Sequence, residues 1–395
     1  VQSSAQKRSS YDVAIIGGGI MGSSAAYWLS RSKGVSVIVI ERDASYATAS
    51  SALSASAIRQ QFSTPVCIEM SRFGMEFLKA IGAFLSVDEA TPNVSLVERG
   101  YLYLADASSR QVLQENGDRQ RAHGASVATL SPQSLKERFD WLETSDIALG
   151  NLGLAGEGWF DGYSLLQAFK AKARAQGVVY CTDEAVGLSL HGASVSDVHL
   201  ASGERVSARA IVNAAGPQAA RIAGWAGVAV PVVPEKRTVF VLDCRDPPSG
   251  CPLVIDPAGV WFRPEGRGFI AGGPADADDS RPGELIPDYA QFDALVWPLL
   301  ARRVPAFETI RMQRAWAGHY EMNVFDHNAL IGRLPGMDNL YVIAGFSGHG
   351  MQHAAAAGRG LSELILHGKY LALDLTPLSP DRLLTGQRLN ERNII

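Results

Sequence analysis

The sequence predicts a two-domain chain. One part is a Rossmann-like α/β domain that binds a dinucleotide; the other is a discontinuous α+β domain built on a mostly antiparallel sheet. Three observations carry this. An amino-terminal strand, glycine turn, helix, strand and acid follow one another in the order of a βαβ nucleotide-binding unit. Two later apolar runs end in small residues, NAAGP at 213–217 and AGFSGHGM at 344–351. Between them, from Pro231 to Phe307, the hydrophobic period shifts towards two in RTVFVLD, GVWFRPE and GFIAGG.

The first element is the run Tyr11 to Ile16, which leads directly into Gly17-x-Gly19-x-x-Gly22 with Ile20 and Met21 between the glycines. Gly17 permits the tight turn, Gly19 lets backbone approach a pyrophosphate, and Gly22 lets helix and sheet pack closely. The helix start supplies unpaired N–H groups for phosphate. A second apolar run, Val35 to Ile40, ends in Glu41 with Arg42 beside it. An acid here accepts from adenosine ribose hydroxyls and disfavours a 2′-phosphate, hence NADP. The motif alone leaves FAD and NAD open. The following stretch to Phe62 is small and polar; it reads as a segment lying along the cofactor, with Ser50 and Ser51 offering hydroxyls, or as a surface loop.

Pro65 to Leu85 has helical periodicity, GYLYLA at 100–105 alternates like a strand, and Ser108 to His123 is another helix. Residues 158–177 read as a turn and a helix with Leu165, Leu166 and Phe169 on one face, ended by Gly177. VVYCTDEAVGLSL is strand, turn and strand and contains Val186, and Ala214, Ala215 and Gly216 close the next strand. The expected nucleotide domain comprises 10–60, 155–230 and 315–375; the second domain comprises 61–154 and 231–314. A flexible arm at 1–9 and a tail at 376–395 complete the chain.

With 395 residues, about 150 per domain, the chain is long enough for two or three units. Its 47% hydrophobic content suffices for sizeable cores, and a net charge of −4 disfavours a nucleic-acid binder. Four cysteines without a CxxC and eight histidines without HExxH point to free buried thiols and no metal site. No run of eighteen apolar residues predicts a membrane span, which leaves peripheral membrane contact open. The polar opening VQSSAQKRSS lacks a signal peptide's apolar core, so a cytoplasmic location is expected, or a mitochondrial one if a targeting peptide was removed. Oligomeric state is left open.

IIGGGIMG, IVNAAGP and AGFSGHGMQHAAAAGRGLSELI together resemble the D-amino-acid-oxidase-like flavoproteins, in the branch of sarcosine oxidase, glycine oxidase and D-arginine dehydrogenase, from about Asp12 to Leu366. WPLLARRVPAFETIRMQRAWAGHYEMNVFDHNALIG and the terminal RLNERNII more closely resemble mitochondrial FAD-dependent oxidoreductase domain-containing proteins linked to respiratory complex I assembly. The resemblance implies a Rossmann-like FAD-binding domain under a substrate domain, and oxidation of an amine alpha to a carboxylate. The partners are a small amino-acid or amine substrate and an electron acceptor: a quinone, an electron-transfer protein or oxygen. Gly345, Phe346, Ser347, Gly348, His349, Gly350 and Met351 would then face the flavin and its ribityl chain.

The same resemblance suggests the catalytic set. Arg59 stands where sarcosine oxidase has a carboxylate-binding arginine; the alternative is a salt bridge with Glu69 or another acid. Arg237 occupies the place of a substrate-side arginine in D-arginine dehydrogenase, and Arg263 is a weaker candidate. Tyr320 replaces the carboxylate-binding arginine of that enzyme but keeps one donor. His319 lies near the flavin-linked cysteine of covalent sarcosine oxidases; no cysteine follows Cys251, so FAD is expected to be non-covalent. His349 belongs near the flavin or caps its turn. Two lysines of sarcosine oxidase are missing, replaced by Gln352 and Ile270. Loss of the second, which assists oxygen reduction, favours a dehydrogenase over a peroxide-producing oxidase. An assembly protein that retains FAD structurally is the alternative of another class. The carboxyl-terminal glycine-rich helix, which a simple NAD enzyme does not need, disfavours an NAD-linked dehydrogenase.

Overall fold

The computed structural model describes residues 10–275 and 285–392, so the expected arm at 1–9 lies outside the described residues. Two eight-stranded sheets dominate. In the first, Ser10–Ile16 is flanked in parallel by Val37–Glu41 on one side and Arg205–Asn213 on the other. Val179–Thr182 and Leu340–Ala344 extend it in parallel, and Leu330–Arg333 closes one edge antiparallel. The central runs VAII and VIVI are buried almost throughout, as a parallel sheet covered on both faces requires. Because the strand order diverges from Ser10–Ile16, the strand ends at Ile16, Glu41 and Asn213 open onto one crevice, the position where such sheets take a ligand.

Helices Ile20–Ser30 and Gly350–His367 cross on one face of this sheet at backbone contact. Ser24 Oγ donates to the carbonyl of Ala354 at 2.7 Å. A Cβ on Gly358 would lie 2.3 Å from Ser24 Oγ and 2.9 Å from the Ala25 nitrogen. Gly162–Ala175 packs beside them and buries Leu165, Leu166 and Phe169, the expected stripe.

The helix expected over 65–85 is broken at Ala80, giving Pro65–Lys79 and Ile81–Leu85. Pro65–Lys79 joins the first core instead of the second domain: Gly74 sits so close to the Gln352 carbonyl that a Cβ would approach its oxygen to 2.4 Å. Its hydrophobic periodicity shows which face is buried but not which partner buries it.

The second sheet has the order Arg311–Asn323, Val232–Asp243, Gly268–Gly272, Trp261–Glu265, Leu253–Ile255, Tyr101–Ala105, Leu149–Gly153 and Val127–Leu130. All its pairs are antiparallel except Leu253–Ile255 with Tyr101–Ala105. Arg311–Asn323 runs the full length of Val232–Asp243, so residues from 315, which the sequence assigned to the nucleotide domain, begin as an edge strand of this sheet. The strand then crosses back to the first domain, where Ser347 N donates to the Glu321 carbonyl at 3.1 Å. Phe262, Phe269 and Phe307 meet edge to face at 4.9 and 5.2 Å in the second core. All four cysteines are free, and three are buried.

Because the crossing at Gly358 has no room for a side chain, Gly358→Val should destabilise the fold by about 1–3 kcal/mol or more through overpacking. Urea unfolding of the two proteins measures this.

Candidate active site

The amino-terminal half of the cleft is built from backbone. Gly17 turns at φ +101°, and Gly22 lies so close beneath the Gly17 carbonyl that a Cβ would meet its oxygen at 1.9 Å. Glu41 accepts from Gly18 N at 2.7 Å and Asp43 N at 2.9 Å, so its carboxylate is fixed at the cleft wall with lone pairs left to accept hydroxyls. Ser51 Oγ accepts from Ile20 N at 2.9 Å, which sets the small-residue segment against the helix start. Gly17, Gly19, Ile20, Met21, Glu41, Arg42, Ser50 and Ser51 all line this cleft, and so does Tyr46, whose buried hydroxyl has no partner among the described residues. Ala214, Ala215 and Gly216 form the opposite wall. Ala185 lines the cleft where Val186 was expected; Val186 is 44% exposed.

Further along, the cleft passes between Gly216 and the 345–351 turn. Here the structure adds a residue that the sequence reading missed. Glu321 is half-buried, accepts the backbone N–H groups of Gly345 and Phe346, and leaves a buried Oε2 without a partner among the described residues. Those two N–H groups therefore serve a carboxylate that itself faces the cofactor cleft. Burial raises Glu321 to about 7. Its clue in the sequence was an acid in a strand otherwise followed for its arginine and tyrosine positions.

Arg237, His319 and Tyr320 lie in the same part of the cleft. Arg237 pairs with Glu235 at 2.7 Å and sits 5.1 Å from the Tyr320 ring centre, with Nε and one terminal nitrogen buried and unpartnered among the described residues. Desolvation and neighbouring Lys236 lower the His319 pKa, favouring neutral imidazole. Gly348 packs flat on Tyr320: a Cβ there would lie 2.2 Å from the ring. Gly350 and Met351, at the start of Gly350–His367, also face the cleft.

A smaller pocket opens from this end, sharing Tyr320, Gly348, Trp261 and Met351 with the cleft. Its lining brings together Arg59, Tyr101, Ser347, His349 and Gln352. Arg59 is buried, donates to the Tyr103 hydroxyl, and has its guanidinium carbon 4.4 Å from the Phe62 ring centre. Glu69 contacts His123 at 3.4 Å, away from Arg59. Gln352 Oε1 accepts Arg59 N at 2.8 Å, so the residue standing for a lysine holds the arginine's backbone. Glu157, another residue the sequence reading missed, accepts from Gln60 N and Gln61 Nε2 and is raised to about 7 by burial.

His349 is buried, and desolvation followed by the neighbouring His353 and Arg59 depresses its pKa well below the usual range. Its ring donates to the Ser347 carbonyl, leaving Nε2 as a buried acceptor without a partner among the described residues. No metal motif was legible, yet the fold gathers ligand atoms of Cys67, His349 and His353 within 4.8 Å of one another. Cys67 is already bonded to Asn328 and His353 to Ser71. Arg263 is held by Glu265 and the Ala55 carbonyl, a structural role. Ile270 is buried in the sheet.

The cleft fits FAD on its own features: two helix starts at its ends, backbone walls at Gly17 and Ala214–Gly216, and three lining residues, Tyr46, Glu321 and Arg237, each with a buried polar atom unpartnered among the described residues. Comparison with known proteins agrees. The family pattern described as FAD dependent oxidoreductase (DAO) matches residues 12–364. FAD-dependent oxidoreductase domain-containing protein 1 of Xenopus laevis is 39% identical over 422 residues, 97% of this chain and 85% of that protein. Human mitochondrial dimethylglycine dehydrogenase is 25% identical, over 94% of this chain and 44% of its own length. Among solved structures, L-proline dehydrogenase from P. horikoshii superposes with a TM-score of 0.85 and 26% identity, covering 97% of this chain and all of that one. Glycine oxidase from Geobacillus kaustophilus superposes at 0.82 with 22% identity, covering 95% and 99%.

If Glu321 Oε2 accepts from bound FAD, Glu321→Leu should weaken FAD affinity by roughly 10- to 150-fold, the worth of a hydrogen bond to a charged group. Glu321→Gln, which keeps an acceptor, should lose less. Flavin fluorescence titration of the apoprotein reads both.

Proposed function

The chain belongs to the DAO family of FAD-dependent oxidoreductases, and from that premise we propose that it oxidises the Cα–N bond of an amino acid or its N-alkyl derivative. On this reading FAD is held non-covalently and the electrons pass to an acceptor other than oxygen. The observation that carries the reading is the small pocket, which opens into the cofactor cleft and presents a buried arginine beside a neutral imidazole acceptor.

FAD, when bound, supplies the two-electron acceptor; the residues of the chain bind, orient and desolvate the substrate. The Arg59 guanidinium matches a carboxylate in shape and charge, and its backbone is fixed by Gln352. Nε2 of His349 accepts a hydrogen bond from the substrate amine. Because the surroundings keep this imidazole neutral, it orients the amine but is a poor resting place for its proton. That proton leaves to solvent before the Cα–H is lost as a hydride equivalent, and the resulting imine is hydrolysed by water to a keto acid and ammonia, or an alkylamine where the nitrogen is alkylated.

The rest of the pocket is Tyr101, Leu253, Trp261, Met351 and small residues at 54–57, with Arg59 as its one charged lining residue among those described. This lining favours an uncharged, modest side chain or N-substituent over a basic one, whose charge would be buried without a partner. The buried Ile270, where an oxidase places its lysine, supports a dehydrogenase, and the Arg237 charge is balanced by Glu235.

Anaerobic mixing with D-, L- and N-methyl amino acids tests the reaction: flavin absorbance should bleach with at least one neutral carboxylate-bearing amine. Failure across the panel would overturn the reading in favour of a protein that keeps FAD structurally. The reduced protein should reoxidise faster with an artificial quinone than with air, and acid precipitation should leave the yellow colour in solution. Arg59→Met should lower kcat/KM by roughly 10- to 150-fold through the charged hydrogen bonds it removes.

Since the His349 pKa is depressed, the imidazole stays neutral from pH 6 upward. The kcat/KM profile should therefore rise with the ionisation of the substrate amine, and an inflection near 7, where Glu157 and Glu321 ionise, should persist in His349→Asn because it does not come from the imidazole. Stopped-flow flavin reduction from pH 6 to 10 records it.

A further inference from the structure

The RLNER stretch has no role in the reaction as described, yet it packs on the loop that carries Arg59. We propose that Leu389–Arg392 clasps the substrate-carboxylate clamp, with Glu391 as a positioning residue that holds Arg59 through the Phe62–Thr64 turn; this rests on the reading that Arg59 binds a carboxylate.

Residues 59–64 form neither helix nor strand, and their buried N–H groups need partners from elsewhere. Arg59 N goes to Gln352, Gln60 N to Glu157, and Phe62 N to the Gln60 carbonyl. Ser63 N and Thr64 N both go to Glu391, at 2.8 and 3.2 Å. The same carboxylate accepts the hydroxyls of Ser63 and Thr64, at 2.7 and 2.9 Å. Four donors thus converge on one side chain that is 2% exposed. Thr64 precedes helix Pro65–Lys79 and makes no cap with its own side chain, so Glu391 supplies the anion that the helix start favours.

The clasp is anchored on the turn at 326–328. Glu391 N donates to the Asp326 carbonyl, and Leu389 N to the Asp326 carboxylate, both at 3.1 Å. Asn328 donates to the Leu389 carbonyl. Asp326, itself buried, is gripped by Arg382 at 2.7 and 3.1 Å. This anchoring turn follows the strand that carries His319 and Tyr320. One short segment therefore ties the Arg59 loop to the Tyr320 strand, the two walls between which the carboxylate must fit. Phe62, the ring beneath the Arg59 guanidinium, is one residue from the clasped pair.

Loss of Glu391 leaves four buried donors without their acceptor, and the turn that supports Phe62 relaxes. The cofactor walls at Gly17, Glu41 and Ala214 receive no hydrogen bond from this segment. The effect should therefore fall on carboxylate recognition and not on flavin retention. The test uses holoenzyme and 2-furoate, a carboxylate that is not oxidised, titrated by its perturbation of the flavin absorbance. Glu391→Ala should weaken 2-furoate at least tenfold and raise KM more than it lowers kcat, with flavin content unchanged. Glu391→Gln, which keeps one acceptor, should recover part of the affinity. Should the alanine variant be insoluble, Glu391→Asp, with shorter reach, should show the same directional loss. Affinity within twofold of the parent, in either the alanine or the aspartate variant, overturns the clasp even if the melting temperature falls. Arg59→Met in the same titration separates the two ideas: if it leaves 2-furoate binding intact, the carboxylate reading itself fails.

Discussion

Two helices, Ile20–Ser30 and Gly350–His367, cross backbone to backbone, and the rest of the site depends on that contact. The hydrogen bond from Ser24 to Ala354 joins residues 330 positions apart. It fixes the start of Ile20–Ser30 relative to the start of Gly350–His367, both of which line the cleft. Gly22 under Gly17 and Gly358 against Ser24 bring helix to sheet and helix to helix without intervening side chains. The starts of both helices, which line the cleft, are set by this spacing.

Much of that frame could be read from the chain because its signals are local. The glycine turn, Glu41 and the strand-ending NAAGP each announce themselves within a few residues, and the structure places them on the walls of one cleft. What escaped depends on partners distant in sequence. Glu321 and Glu157 are ordinary acids until the fold buries them, one under the 345–346 backbone and the other under Gln60 and Gln61. The strand Arg311–Asn323 alternates like its neighbours, but only its pairing with Val232–Asp243 shows which sheet owns its beginning. Helix Pro65–Lys79 likewise shows an apolar face without naming the layer that covers it. Gln352 looked like a lost lysine; its place in the fold gives it a different task, holding the backbone of Arg59.

The electrostatic design around the small pocket is asymmetric. Glu157 behind it and Glu321 in the adjoining cleft are pushed up to about 7, while His349 is depressed well below its ordinary value and His353 to about 3. Burial pushes each group towards its neutral form, so the Arg59 guanidinium stands out as a fixed charge in a low-dielectric enclosure. In such surroundings an ionic contact is strong and geometry-dependent, which is why so many side chains are spent on holding the 59–64 loop still.

The crossing of Ile20–Ser30 with Gly350–His367 also has a consequence for how the protein is made. At a synthesis rate of about 5–20 residues per second, Ile20–Ser30 leaves the ribosome roughly 15–65 s before the helix that covers it exists. Throughout that interval the part of its surface that Gly350–His367 covers, and the strand edge that Leu340–Ala344 later pairs, have no native cover, although Phe77 and Phe169 can already pack on Trp28 and Tyr27. The nascent chain is thus committed to a long period of exposed hydrophobic surface, the condition under which chaperones compete with aggregation. A cleft lined by residues 16–55 and by 346–351 can take its cofactor only after the later of these segments has been made.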